Sequence, residues 1–84
     1  MSRFPKSEQV GYALFTMAQL LEAQGKLKDS ARTLERYADH STDPTDAGQV
    51  LYRAGTLSER SGNGAEAVRL YKRCLLYTSD AADE

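Results

Sequence analysis

The stretch GYALFTMAQLLEAQG, residues 11–25, returns 37 residues later as GQVLYRAGTLSERSG, residues 48–62. Gly11, Leu14, Leu20, Glu22 and Gly25 fall on identical residues at Gly48, Leu51, Leu57, Glu59 and Gly62. Between them Phe15 is matched by Tyr52 and Ala18 by Gly55. The register holds further on, where Asp29 falls on Glu66, Ala31 on Val68, Arg32 on Arg69 and Arg36 on Arg73. A fixed period of roughly 20–50 residues marks a repeat architecture, whose units bury their apolar faces only against neighbours.

Working outward from these two glycine-closed stretches gives four helices and an all-α chain. Val10, Ala13, Leu14, Met17, Ala18, Leu20 and Leu21 recur at helical spacing and predict a first helix over residues 8–24. Ser7 is its expected N-cap, and Gly25 the left-handed residue that closes it. A second helix is expected over residues 28–40, with Ala31, Leu34, Tyr37 and Ala38 as its apolar stripe. Asp43-Pro44-Thr45-Asp46 opens the third with an acidic cap, a proline at the first helical position and an acid in the first turn. Ala47, Val50, Leu51, Ala54 and Leu57 are its buried positions, and Gly62 ends it. Asn63 should cap the fourth, with Glu66 three residues on making nearly a capping box. Ala67, Val68, Leu70 and Tyr71 follow, and Cys74, Leu75 and Tyr77 prolong the pattern.

Two helical hairpins at this offset resemble the tetratricopeptide repeat. The second unit shows Leu51, Ala54-Gly55, Ser58, Ala67 and Tyr71 at that family's spacings; the first shows Leu14, Met17-Ala18, Leu21, Ser30 and Leu34. Small residues at Ala18/Gly55 and Ser30/Ala67 permit close helix approach. The family's aromatic in the first helix is missing, being Leu21 and Ser58, and its closing proline comes late, at Pro44. The resemblance covers residues 4–73. It implies a helix-turn-helix solenoid of two tetratricopeptide-like hairpins, stacked in parallel with a right-handed offset. The pairs Leu14/Leu51, Ala18/Gly55 and Leu34/Tyr71 should then be largely buried. The units are expected at residues 8–42 and 43–73, with residues 1–7 a lead-in or the end of a preceding repeat. Phe4-Pro5-Lys6-Ser7 and Leu51-Tyr52-Arg53-Ala54-Gly55 are similar to the linkers and openings of bacterial envelope repeats, which leans the compartment toward periplasm or envelope. Met1 is either a true start or an internal methionine.

The last eleven residues, CLLYTSDAADE from Cys74 to Glu84, read differently. They are the translation of TGTCTCTTATACACATCT, the transposase end of a common sequencing library, followed by its adapter GACGCTGCCGACGA. Every codon fits one frame. The expectation is that residues 74–84 are adapter sequence and that the natural chain breaks off at Arg73, inside a longer array. Asp80, Asp83 and Glu84 supply three of the twelve acids in the chain, so residues 1–73 hold eleven basic against nine acidic groups. These charges are interspersed with no basic stripe, which argues against a nucleic-acid partner. No apolar run approaches the ~20 residues of a membrane span. The single cysteine lies in the tail and says nothing of compartment.

No catalytic or metal-binding constellation emerges, and no cofactor is expected. His40 is the only histidine and sits where a positive charge favours a helix C-terminus. Ser61-Gly62-Asn63-Gly64 lacks the Gly-Lys-Ser/Thr of a phosphate loop. Asp39, Asp43 and Asp46 lack calcium-loop spacing and read as helix capping. The resemblance instead implies a non-catalytic protein-interaction scaffold with a concave groove for a peptide or helix. That groove would be lined by Tyr12, Phe15, Gln19 and Glu22 from the first unit and Gln49, Tyr52, Thr56 and Glu59 from the second. Phe15 and Tyr52 occupy the places of the cations that clamp peptide carboxylates in some relatives, so such tails are not the expected ligand. Two roles are open to these rings: a side-by-side ledge in the groove, or packing against neighbouring repeats. The rival function is an oligomerisation module, or a repeat tail on a larger enzyme or envelope-assembly lipoprotein. Exposed terminal faces would allow self-association.

Overall fold

The computed structural model describes the backbone of residues 6–82 and the side chains of residues 9–77. Within them lie four α-helices and no strand: α1 Lys6–Ala23, α2 Leu27–His40, α3 Pro44–Arg60 and α4 Gly64–Ala82. Each helix packs on the next in chain order, and the molecule is a slab 43 × 40 Å across and 13 Å deep.

The two tight turns are built identically. Gly25 and Gly62 adopt φ of 81° and 86°, a region that side chains with a Cβ resist. After α1, the Gly25 and Lys26 amides donate to the carbonyls of Glu22 and Leu21. After α3, the Gly62 and Asn63 amides donate to those of Glu59 and Ser58. Both sets satisfy helix-end carbonyls that would otherwise lack partners. The wider turn between α2 and α3 runs through extended Ser41 and Asp43, and Asp43 caps α3 by accepting from the Thr45 amide at 3.0 Å.

Two expected caps differ. Ser7 falls inside α1, which begins at Lys6, so it is not the N-cap. Asn63 Oδ1 accepts from the Glu66 amide at 3.4 Å, but the Glu66 carboxylate turns to Arg69 and leaves the capping box half made. The charge of Arg69 outcompetes a backbone amide for that carboxylate. α4 runs on past Arg73 to Ala82; Cys74 and Tyr77 pack against the core, and Cys74 Sγ lies 3.1 Å from the Gly48 carbonyl. The expected lead-in residues 1–5 lie outside the described residues.

The core joins Ala18 of α1, Ala31, Leu34 and Ala38 of α2, Ala47, Val50, Leu51, Ala54 and Leu57 of α3, and Leu70 of α4. α2 and α3 each have a helix on either side, and α3 contributes most. Ser30 is buried and donates from Oγ to the Ala18 carbonyl at 2.7 Å, so the small residues at these positions do bring α1 and α2 together. Of the six residues expected to be largely buried, Ala18, Leu34, Leu51 and Gly55 are. Leu14 and Tyr71 are only half-buried. Leu14 stands in the outer helix α1, and Tyr71 lies over Gly55 with its hydroxyl at the surface.

Candidate functional site

A cleft of about 610 Å³ opens between the first half of α1 and the α2–α3 turn. Tyr12 and Phe15 of α1, Tyr37 and His40 of α2, the turn residues 41–43 and Asp46 of α3 line it. Helical spacing sets Tyr12 and Phe15 on one side of α1, and Gly11 stands against the Tyr37 ring, whose Cε2 is 3.5 Å from where a Cβ would be, an ordinary contact distance. The Phe15 and Tyr37 rings meet at 5.7 Å with planes tilted 53°. Tyr37 donates its hydroxyl proton to Asp46 Oδ2 at 2.6 Å, tying α2 to the first turn of α3. That hydrogen bond, then burial and the negative charges of Asp46 and Asp43, push the Tyr37 phenol up to about 12. Tyr12 is 75% exposed at the mouth.

The second hairpin carries its own ring pair. Tyr52 and Tyr71 meet at 5.6 Å with a 39° tilt, and Tyr71 donates to Glu59 Oε1 at 2.9 Å. Thr56 Oγ1 lies 3.4 Å from the same hydroxyl and donates back to the Tyr52 carbonyl at 3.1 Å. Gly55 makes this possible, since a Cβ there would stand 2.5 Å from Tyr71 Cε1.

The eight residues expected to form one groove therefore divide. Tyr12 and Phe15 line the cleft; Tyr52, Thr56 and Glu59 gather around Tyr71; Gln19 and Gln49 are exposed. Glu22 is engaged, accepting from Arg53 at 2.7 Å with Arg60 at 3.6 Å, and so bridges α1 to α3. Among the described residues the ring contacts run within each hairpin, Phe15 to Tyr37 and Tyr52 to Tyr71, and not from Phe15 to Tyr52. Each first-helix ring thus meets the aromatic of its own second helix, and no Phe15–Tyr52 ring contact is found among the described residues. In the sequence Tyr37 reads only as a member of an apolar stripe, and Tyr71 as that and as a matched position expected to be buried. Their hydroxyls, each on a carboxylate, are what set them at the surface of the core.

On the other edge, Arg69 grips Glu35 through two bonds of 2.8 Å and also holds Glu66. Arg73 reaches Glu35 at 2.7 Å and Asp39 at 2.8 Å. The hydrogen bond from Arg69, then that from Arg73, holds the Glu35 carboxyl below its usual range against the opposing effect of burial. The three aspartates read as capping thus have three duties: Asp39 pairs with Arg73, Asp43 caps α3, and Asp46 accepts from Tyr37.

Among the described residues no group of three His, Cys, Asp or Glu side chains could hold a metal ion, and no helix is long and apolar enough to cross a membrane. No protein-family model, curated protein or solved structure matches this chain.

Proposed function

We propose that the chain belongs to a tetratricopeptide-type helical solenoid that binds another protein without catalysing a reaction, taking a peptide or helix against its aromatic first-helix faces. The observation that carries this reading is the cleft at Tyr12, Phe15 and Tyr37. It is an open, ring-lined surface with the Asp43 and Asp46 carboxylates at its rim. Such walls suit a side chain with an apolar body and a positive tip, which rings and carboxylates attract together. Supporting it are the 37-residue register and the matched glycine turns.

The test is selection of phage-displayed peptides on the whole chain, followed by NMR mapping of the bound peptide. Selected peptides should shift the resonances of Tyr12, Phe15 and Tyr37, and Tyr12→Ala should weaken them by about tenfold or more while helicity is kept. Peptides that map elsewhere and ignore Tyr12→Ala would reject this site. The second reading, an oligomerisation module or a tail of a larger assembly, draws on exposed Val10, Met17 and Leu20.

A further inference from the structure

The surface by which the second hairpin grips the first is repeated on the first hairpin, one unit earlier. In α3, Ala47, Val50, Ala54 and Leu57 are at most 6% exposed. The same register positions in α1 are Val10, Ala13, Met17 and Leu20, and there Val10 is 39%, Met17 49% and Leu20 59% exposed. The charges repeat with them. Arg69 and Arg73 on α4 hold Glu35 and Asp39 on α2. Their counterparts Arg32 and Arg36 are exposed on α2 and join no hydrogen bond or ion pair among the described residues. Arg32 touches the network only as a charge felt by Glu66.

We propose that the face bearing Val10, Met17, Leu20, Arg32 and Arg36 docks a helical hairpin whose second helix carries two carboxylates four residues apart. Glu35 and Asp39 show the pattern that such arginines hold: a shared carboxylate for both guanidinium groups and a second acid one turn on. The apolar positions supply contact area and the arginines select the partner.

The same register argues against a second copy of this chain as occupant. Stacked head to tail, that copy would offer the far face of α4, where Lys72 and Leu76 stand in the places of Glu35 and Asp39. Lys72 would then meet two arginines, a like-charge contact that disfavours the pairing. The face therefore prefers an acidic partner to its own chain. It lies on the side of α1 away from Tyr12 and Phe15, roughly 140–200° around the helix from Val10.

Placing the acids on the far face tests this in the full chain. The K72E/L76D variant should associate head to tail, on the order of tenfold more tightly than the unaltered chain by sedimentation velocity, and less so in high salt. Adding R32E/R36E should abolish the gain. K72E alone, which keeps the apolar Leu76 in α4, should give a smaller gain of the same sign. Variants that stay helical by circular dichroism yet sediment like the unaltered chain would overturn the proposal. So would association that survives R32E/R36E, or an unaltered chain that already assembles as tightly. These outcomes do not depend on Tyr12, so the aromatic-cleft reading and this one fail separately.

Discussion

The two hairpins share a register and differ in their surroundings. Leu51 is fully buried in α3, whereas its counterpart Leu14 is half-buried in α1. Arg69 and Arg73 are engaged where Arg32 and Arg36 are not. Matched side chains thus carry different weight according to what their helix packs against: α1 meets α2, whereas α3 meets both α2 and α4. Burial here belongs to the contact between the hairpins more than to either hairpin itself.

The sharpest way to break this comparison is to truncate the matched leucines. Leu51→Ala should cost about 3 kcal/mol, in the range for a fully buried leucine, and Leu14→Ala about 1 kcal/mol because its cavity opens toward solvent. Urea unfolding of both variants would show it. Equal losses would mean that α1 is covered as completely as α3.

A smaller effect concerns how the hairpins fill the same place. The first holds Ala18 and Leu34 where the second holds Gly55 and Tyr71. Gly55→Ala gains about 1 kcal/mol of helix propensity but drives a methyl into the Tyr71 ring, so a net loss of about 1 kcal/mol is expected. With Tyr71→Leu also made, which restores the pairing of the first unit, the same Gly55→Ala should become stabilising. A thermal double-mutant cycle reads this change of sign. Additive effects would show that ring and glycine are not coupled.

The smallest expected effect lies in the ionic network. Glu35→Gln should cost about 1 kcal/mol, since its arginine partners are partly solvated, while Arg32→Gln should leave unfolding unchanged. The Glu35 carboxyl is held below its unperturbed 4.5. Its contribution is therefore present above that value and is lost as pH falls below it, through the lowered native value. Melting curves across that interval should be flatter for Glu35→Gln than for the parent. Parallel curves would remove Glu35 as the source.

Much of the architecture was legible in local chemistry. Gly25, Gly62 and Asp43-Pro44 state where helices end and begin, because left-handed backbone and an acidic cap before proline have few other uses. The apolar positions of α3 all proved buried for the same reason of spacing. The candidate site was less legible. The cleft depends on how the turn residues 41–43 sit beside α1, and the carboxylate that Tyr37 bonds, Asp46, lies in the second hairpin. The repeated arginines were visible as identities, but their duty appears only when α4 is set beside α2. Glu66 misled for a related reason, since a capping role and an ion pair compete for one carboxylate.

The ties between the hairpins also bear on how such a chain finds its shape. Arg53 reaches back 31 residues to Glu22, Arg69 and Arg73 reach back 34 to Glu35 and Asp39, and Arg73 reaches 38 to Glu35. Every one spans close to the 37-residue offset at which the sequence matches itself. Closing a loop of that length carries an entropic cost that rises only slowly with length, so ties of 31, 34 and 38 residues cost nearly the same. The two hairpins are therefore tied through loops of nearly equal length, none of which spans the whole chain.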